Sequence, residues 1–322
     1  MTDTILVTGG AGYVGSHACK ALDAAGFKPV VYDNLTSGHR DLVRWGPLEE
    51  GDILDRGRLD AVIAGHRPAA VLHFAALSIV GDSVSEPERY RRNNVEGSLA
   101  LLDAMKRGGV PAIVFSSTAA VYGVPAEVPI RESTVTSPIN PYGETKLAIE
   151  HALARSGLAW TALRYFNAAG ADPDGEVGEH HEPETHLIPI VLDVALGRRS
   201  SIAIFGDDYD TPDGTCLRDY IHVSDLALAH VAALHRLQAG ASDGLFNLGT
   251  GTGTSVREIV DAARSVTGQA IPTQTVARRE GDPPVLVCSN AAAERDLGWC
   301  PKRGIDDQIA DAWRWHRSRF GA

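Results

Sequence analysis

The fold is decided by the stretch Thr4-Ile5-Leu6-Val7-Thr8-Gly9-Gly10-Ala11-Gly12-Tyr13-Val14-Gly15, near the start of the chain. Residues 4–8 form a short apolar run that is typical of a buried parallel strand, and a helix is predicted over 16–25. Glycines at positions 9, 12 and 15 allow a tight turn, a close approach of phosphate to the backbone and close packing of the helix. The stretch therefore predicts a dinucleotide site with the pyrophosphate at the N-terminus of the helix.

An acidic residue follows the next predicted strand, Pro29-Val30-Val31-Tyr32. Asp33 lies 18 residues after Gly15, close to the distance at which a carboxylate binds the ribose hydroxyls of a dinucleotide. A carboxylate at that place would also repel a 2′-phosphate group. The position of Asp33 therefore favours NAD over NADP.

Strand and helix patterns keep alternating up to about residue 167. Further strands are predicted at 48–51, 69–74, 112–115 and 160–164, and longer helices at 87–106 and 142–155. This alternation predicts an α/β fold of the Rossmann type, a doubly wound parallel sheet that binds ligands at the carboxyl ends of its strands. We expect residues 1–167 to form this NAD-binding domain.

The pattern changes after residue 167. Residues 170–185 show no apolar period and are predicted to be an exposed loop. From Leu187 the chain mixes short strands, helices and turns, and a last amphipathic helix is predicted over 305–317. We expect residues 168–322 to form a smaller α+β substrate-binding cap, with 219–248 packing back against the first domain.

The bulk composition argues against several classes of protein. The 322 residues carry a formal net charge of −11, which disfavours general binding to nucleic acid or to anionic membranes. Four scattered cysteines are typical of a reducing compartment rather than of a disulfide scaffold. The sequence shows neither a secretory leader pattern nor an apolar run of about 18 residues, so we expect a cytoplasmic protein without a membrane segment.

Tyr142 and Lys146 are four residues apart on a predicted helix, so their side chains share one face. A neighbouring ammonium group favours the phenolate, so Lys146 is expected to lower the pKa of Tyr142 from about 10 toward neutrality. Thr118, directly after a predicted strand, adds a hydroxyl group. Such a trio suits hydride transfer, with the phenolate taking a hydroxyl proton while hydride leaves for a nicotinamide.

Two groups of charged residues in the second half could bind ligands. Arg218 and the pair Arg278-Arg279 lie in loop-like places, where guanidinium groups can clamp a diphosphate with two hydrogen bonds each. A histidine-rich stretch holds the possible metal ligands His180, His181, Glu182, Glu184 and His186. Because their spacing matches no standard zinc pattern, we expect no metal site here.

Together these motifs resemble the UDP-galactose 4-epimerase family of the extended short-chain dehydrogenase/reductase superfamily. The resemblance runs nearly from end to end of the chain. The segments that carry it are Val7–His17, Tyr32–Leu35, Gly51–Ile53, His73–Leu77, Asn93–Val95, Leu163–Asn167, Ala203–Gly206, Asp213–Thr215, Arg218–Val223 and Arg278–Asp282.

The resemblance implies an isomerase that uses tightly bound NAD. Its cofactor-binding residues would be Gly9, Gly12, Tyr13, Val14, Gly15, Asp33, Asn34, Asp52, Ile53, Phe74, Ala75, Ala76, Asn94, Lys146 and Tyr165. Its UDP-sugar-binding residues would be Thr118, Asn167, His186, Leu187, Ala203, Phe205, Arg218, Arg279 and Asp282. Tyr142 would be the base that acts on the sugar C4 hydroxyl, Thr118 would assist, and a 4-keto sugar would turn before hydride returns to its other face. A homodimer through the helices near 87–106 and 142–155 is also implied.

Three positions differ from the commonest pattern of that family. Ser78 replaces a lysine, His186 replaces an asparagine, and Leu286 replaces a tyrosine that narrows the sugar pocket in some members. A smaller side chain at 286 would admit an N-acetylated hexosamine. The sugar therefore stays open between a hexose, an N-acetylhexosamine, a pentose and a uronate.

Two other functions are compatible with the same fold. A nucleotide-sugar dehydratase or decarboxylase belongs to the same superfamily, and the dehydratase has an acidic pair just after the threonine. Ala119 and Ala120 stand there in this chain and cannot transfer protons. A non-catalytic NAD-binding protein would be free to lose Tyr142, Lys146 or Thr118, and this chain keeps all three.

Overall fold

The computed structural model describes residues 3–241, 243–279 and 281–321. Its centre is a seven-stranded sheet in the order β11-β6-β5-β4-β1-β2-β3, with every neighbouring pair parallel. The strands are β1 (Thr4–Thr8), β2 (Lys28–Asp33), β3 (Leu48–Glu50), β4 (Ala70–His73), β5 (Ala112–Thr118), β6 (Ala159–Tyr165) and β11 (Gly244–Leu248). This arrangement confirms the predicted doubly wound α/β fold.

Helices cover both faces of the sheet because successive side chains of a strand point to opposite sides. The helices are α1 (Tyr13–Ala24), α2 (Arg56–His66), α3 (Val80–Ser85), α4 (Pro87–Tyr90), α5 (Gly97–Gly108), α6 (Pro141–Ala154), α7 (Leu187–Ala195), α8 (Val223–Gln238), α9 (Val256–Thr267), α10 (Ala291–Leu297) and α11 (Ile305–Phe320). Ile5 packs with Leu22 of α1 and Leu234 of α8, whereas Leu6 packs with residues of α2, α5 and α6 on the other face. None of the described helices is both long and apolar enough to cross a bilayer.

The helix predicted over 87–106 is present, but it is not a regular α-helix throughout. The chain there forms α4, a π-helical segment over Arg91–Glu96 and then α5. Within the π-helical segment, the Asn94 carbonyl accepts a hydrogen bond from the Ser98 hydroxyl, and the Asn94 side chain turns away to bind the backbone of Leu77. A π-helical turn inside a helix often marks a functional position, and Asn94 is one of the predicted cofactor residues.

The remaining strands form small sheets beside the large one. β7 (Asn167–Ala169) pairs with β10 (Tyr220–His222), and β8 (Ile202–Phe205) pairs with β13 (Thr273–Val276). β9 (Leu217–Arg218) lies between β12 (Thr254–Ser255) and β14 (Val285–Leu286). A separate apolar core joins α7, α9 and α11 in this part of the molecule. Within the segment 219–248, β10 belongs to a small sheet, while β11 extends the large sheet and α8 packs on α1.

Candidate active site

The loop after β1 packs tightly against the backbone after β4 and leads into a helix without a side-chain cap. Gly9 has a φ of +75°, and a Cβ atom on it would lie 2.5 Å from the backbone nitrogen of Ala75, so only glycine fits. Helix α1 begins at Tyr13, with Val14 and Gly15 in its first turn, and no side chain caps its first N–H groups at Gly12. Free N–H groups at the start of a helix bind anions, as the predicted pyrophosphate site requires.

Asp33 stands at the end of β2 and is 6% exposed. Its Oδ2 accepts a hydrogen bond from the Ala11 backbone at 3.0 Å, and its Oδ1 accepts one from the Leu35 backbone at 2.8 Å. Burial raises the pKa of the Asp33 carboxyl, and the two hydrogen bonds oppose that rise. The carboxylate thus ties the glycine loop to the end of β2.

We expect Asp33→Asn to lower the retention of NAD by tenfold or more. An asparagine can accept a hydrogen bond at one oxygen only, so its amide NH₂ would face one of the two backbone N–H groups. The measurement is moles of NAD per chain after gel filtration. Asp55→Asn is the matched control, because Asp55 caps α2 by accepting from the Arg58 backbone and asparagine caps a helix equally well. Equal loss of NAD from both variants would contradict a specific role for Asp33.

The other predicted cofactor residues line the carboxyl edge of the sheet. Asn34 donates to Asp52 at 2.9 Å, and Ile53 is buried against α5. Phe74, Ala75 and Ala76 follow β4 directly. Asn94 is fully buried, with its side chain bonded to the Leu77 backbone and, at 3.1 Å, to Thr145 of α6.

The three predicted catalytic side chains come from β5 and α6. Gly143 lets α6 approach the turn after β5, because a Cβ atom there would lie 2.7 Å from the Ala120 carbonyl oxygen. Lys146 is buried, with its Nζ 2.8 Å from the Ser116 carbonyl and 5.8 Å from the centre of the Tyr142 ring. Tyr165 shares a hydrogen bond with the Ser116 hydroxyl. Thr118, at the end of β5, is 9% exposed.

The prediction that Lys146 lowers the pKa of Tyr142 toward neutrality is wrong for the ligand-free protein. Burial raises the pKa of Tyr142 to about 12, against the opposing effect of a hydrogen bond with Thr118. Burial also lowers the pKa of Lys146 to about 7, so this cation is only partly charged at neutral pH. Low surrounding polarity disfavours both the phenolate of Tyr142 and the ammonium of Lys146.

Sequence reasoning missed a buried ion pair that supports the trio. Glu150 of α6 and Arg164 of β6 are each 4% exposed at the side chain and lie 2.5 Å apart. Glu150 also accepts from the Ser117 hydroxyl of β5 at 2.5 Å, and Arg164 donates to the Tyr122 hydroxyl at 3.0 Å. The pair therefore joins α6 to the strand that ends in Thr118. The available signal was the spacing of Lys146 and Glu150, which are four residues apart and therefore share one face of α6.

The predicted substrate residues form two side-chain contacts in the second half of the chain. Arg218 of β9 makes an ion pair with Asp282, and Arg279 lies over the Phe205 ring with its guanidinium carbon 4.3 Å from the ring centre. Glu280, within the predicted arginine-rich segment, lies outside the described residues. Ala203 is on the same strand as Phe205, with both side chains on the exposed face of β8.

Asn167, His186 and Leu187 stand at the starts of β7 and α7. Asn167 starts β7 and bonds to the Asp219 carbonyl, while His186 and Leu187 stand at the start of α7. The His186 ring faces Glu179 and Glu184, so its predicted contact with substrate stays a prediction.

Asp219 is a second residue that sequence reasoning missed. Its carboxylate is fully buried and accepts hydrogen bonds from the backbones of Thr250, Gly251 and Cys288. These contacts hold β9 beside β14. They thereby also fix Arg218, the residue before Asp219, and Leu286, which pairs with Arg218 in register. Leu286 packs in the apolar cluster around Tyr122. Ser78 lies between β4 and α3, one residue after Leu77.

Comparison with known proteins decides the family. Residues 5–249 match the model of the NAD dependent epimerase/dehydratase family. The chain belongs to this family. It is 54% identical to a UDP-glucose 4-epimerase of Rhizobium leguminosarum bv. trifolii over 318 residues, which are 98% of this chain and 97% of the relative.

Solved structures of the epimerase/dehydratase family share the whole fold. The UDP-glucose 4-epimerase from Brucella ovis, in complex with NAD, is 51% identical with a TM-score of 0.95, covering 97% of this chain and 98% of that one. The UDP-Glc/GlcNAc 4-epimerase from Campylobacter jejuni is 36% identical with a TM-score of 0.87, covering 98% and 99%. This chain uses NAD, as its family does, and its glycine loop, uncapped helix and Asp33 fit that cofactor.

Proposed function

We propose that the protein is a UDP-glucose 4-epimerase, an isomerase that interconverts UDP-galactose and UDP-glucose. The observation that carries the proposal is the group of Thr118, Tyr142 and Lys146, gathered at the carboxyl edge of an NAD-binding sheet. Relatives named for this activity are similar over almost the whole chain.

The residues of this chain supply acid–base chemistry at one sugar oxygen. When bound, NAD supplies the reversible hydride acceptor that 4-epimerisation requires. Tyr142 takes the proton from the C4 hydroxyl in the first half-reaction and returns it in the second. The Thr118 hydroxyl hydrogen-bonds the same oxygen and keeps it near the phenol. In its protonated form Lys146 places a positive charge near the ring, and it would offer hydrogen bonds to the cofactor ribose.

Epimerisation needs proton transfer only at the sugar C4 oxygen, whereas dehydration needs further proton transfers. A dehydratase must also move a proton at C5 and release the C6 hydroxyl as water, which needs further acidic and basic groups. The turn after Thr118 holds Ala119 and Ala120, which have no such group. Epimerisation is therefore the chemistry that these side chains support.

The test is turnover of a panel of UDP-sugars without added NAD. The purified protein is incubated with UDP-glucose, UDP-galactose, their N-acetylated forms, UDP-xylose and UDP-glucuronate, and the products are separated by chromatography. We expect fastest turnover of UDP-galactose and UDP-glucose, with NAD released only on denaturation. A protein that contains no NAD and converts none of these sugars would overturn the proposal.

The choice of sugar is proposed to depend on Leu286. We expect Leu286→Tyr to lower kcat/KM for UDP-N-acetylglucosamine about tenfold relative to UDP-galactose, because the larger ring reduces the space for an acetamido group. Leu286→Met, which conserves volume, is the control and should leave this ratio within about threefold. Both ratios come from initial rates on each sugar. Equal ratios in the parent and in Leu286→Tyr would remove Leu286 from the specificity pocket.

We also propose the domain division, assembly and location that the sequence suggested. Residues 1–167, joined by 219–248, would form the NAD-binding domain and the rest of 168–322 the UDP-sugar-binding domain.

The helices around 87–106 and 142–155 would form the homodimer contact, and Leu99 on α5 is 40% exposed there. Four free cysteines, three of them buried, fit a reducing cytoplasm. In that setting the reaction would serve galactose metabolism.

A further inference from the structure

The loop between β7 and α7 brings two histidines and two glutamates together. Glu179, His181, Glu184 and His186 each offer one nitrogen or oxygen atom, and these four atoms lie within 4.8 Å of one another. We call this group the His/Glu cluster. Glu179 was not among the candidate ligands read from the sequence, and it completes the set. The spacing in sequence gave no sign of a metal site, because these four side chains meet only where the loop folds back on itself.

The distances within the His/Glu cluster are close to those between the ligands of one small metal ion. His181 Nδ1 lies 3.2 Å from Glu179 Oε1 and 3.6 Å from Glu184 Oε2. His186 Nδ1 lies 2.8 Å from Glu179 Oε1 and 3.1 Å from Glu184 Oε1. Nitrogen and oxygen ligands about 2.0–2.2 Å from a tetrahedral zinc ion are about 3.3–3.6 Å from each other. The four distances, 2.8–3.6 Å, are within about 0.5 Å of that range, so small side-chain movements would bring these atoms around one ion.

Two atoms of the His/Glu cluster are close to partners but not hydrogen-bonded to them. Glu179 Oε1 and His181 Nδ1 are buried and have no hydrogen-bond partner among the described residues, although they are 3.2 Å apart. Glu179 is 4% exposed, and a buried carboxylate oxygen without a partner is costly. His186 Nδ1 and Glu184 Oε1 bond to each other at 3.1 Å, so Glu179 Oε1 and His181 Nδ1 are the two buried atoms of the cluster that a bound ion would satisfy.

We propose that Glu179, His181, Glu184 and His186 together bind one divalent transition-metal ion, with zinc as the best fit. Imidazole and carboxylate are the nitrogen and oxygen ligands that zinc takes in fourfold coordination. Two carboxylates balance the charge of a divalent ion when both imidazoles are neutral. Four protein ligands leave no open position, so the ion has a structural role.

The ion would hold the start of the substrate-binding half against the cofactor loop. Tyr13 lies edge-on to His181 with ring centres 6.2 Å apart, and its hydroxyl donates to the Gly170 carbonyl at 2.7 Å. The backbone carbonyl of Glu179 accepts from the Trp315 indole at 2.9 Å. His186 immediately precedes α7. One ion would thus fix this loop between the NAD site and the helix that begins at Leu187.

The His/Glu cluster differs from a nearby acidic group in its surroundings. A cavity of about 50 Å³ adjoins the His/Glu cluster and is lined in part by His181 and Glu184. Asp172, Asp174 and Glu176 also converge, but the Lys20 ammonium lies 2.7–2.8 Å from all three and already supplies their positive charge. No lysine or arginine pairs with the His/Glu cluster among the described residues.

The proposal is tested by metal content and by zinc titration of the full chain. Untagged protein is purified without chelator and its metals are measured by mass spectrometry. It is then stripped with a chelator and titrated with ZnCl₂ or MgCl₂ in a calorimeter. We expect about one zinc per chain, bound at least a thousandfold more tightly than magnesium, and a higher Tm with zinc. Less than a tenth of a zinc per chain after titration would overturn the proposal.

Variants locate the ion and separate ligation from folding. Glu184→Gln and His181→Gln should weaken zinc binding a hundredfold or more. Glu182→Gln and His180→Gln change neighbours of the same type in the same loop and should bind zinc like the parent. Equal zinc binding by all four variants would move the ion elsewhere and overturn the assignment.

Cobalt(II) gives a readout that needs no variant. Added to the stripped parent, it should give the strong visible absorption of a tetrahedral site. A weak octahedral spectrum would contradict the proposed geometry.

Discussion

Tyr142→Phe is expected to lower kcat on UDP-galactose about 10²–10⁴-fold, the usual contribution of a positioned acid–base group. The ring stays in place and keeps its packing, so only the phenol oxygen is lost. Neither neighbour can replace it, because the Thr118 hydroxyl is far less acidic and Lys146 is bonded to the Ser116 carbonyl. Since a proton must be taken and returned at the same oxygen, both half-reactions slow down together.

The measurements separate chemistry from binding. NAD content and the Kd of UDP should stay within about threefold of the parent, while the initial rate falls. Tyr90→Phe is the control, because the Tyr90 hydroxyl donates only to the Ile79 carbonyl, at 2.6 Å, and its loss costs about 1 kcal/mol of stability. A Tyr142→Phe variant that keeps a tenth or more of the parental kcat would show that another group is the base.

The sequence predicted most of the fold because its signals are local. The apolar run at 4–8, the glycines after it and Asp33 are adjacent in the chain and act within one βαβ unit. Strand alternation then fixed the class of the sheet. The π-helical segment escaped prediction because it depends on Asn94 reaching Leu77 and Thr145, which are 17 and 51 residues away in sequence.

The candidate site was predictable in its residue types but not in its electrostatics. The i, i+4 spacing of Tyr142 and Lys146 indicated a shared face, and both residues occupy it. Their pKa values depend on how much water and charge surround them, which no spacing reveals. The same limit applies to Glu179, whose approach to His181 and His186 follows from the path of the loop.

Glu150→Gln is expected to lower the free energy of unfolding by about 3–5 kcal/mol, the usual cost of removing one partner of a buried ion pair. The amide would leave the Arg164 guanidinium buried without a counter-charge and would turn an NH₂ group toward one of its two donors, Arg164 or Ser117. Urea unfolding with saturating NAD, followed by circular dichroism, gives the difference. Asp103→Asn breaks the exposed pair with Arg56 and should cost less than about 1 kcal/mol.

A double variant shows what the buried pair does for the site. Glu150→Met with Arg164→Met removes both charges, so it should be less destabilised than Glu150→Gln, because no unpaired ion stays buried. Its kcat should nevertheless remain below that of the parent, since the Ser117 hydroxyl and α6 lose their shared anchor. Recovery of stability without recovery of kcat would mean that the pair positions Tyr142 relative to Thr118. Recovery of both would limit Glu150 and Arg164 to stability and leave the placement of Tyr142 to the close contact at Gly143.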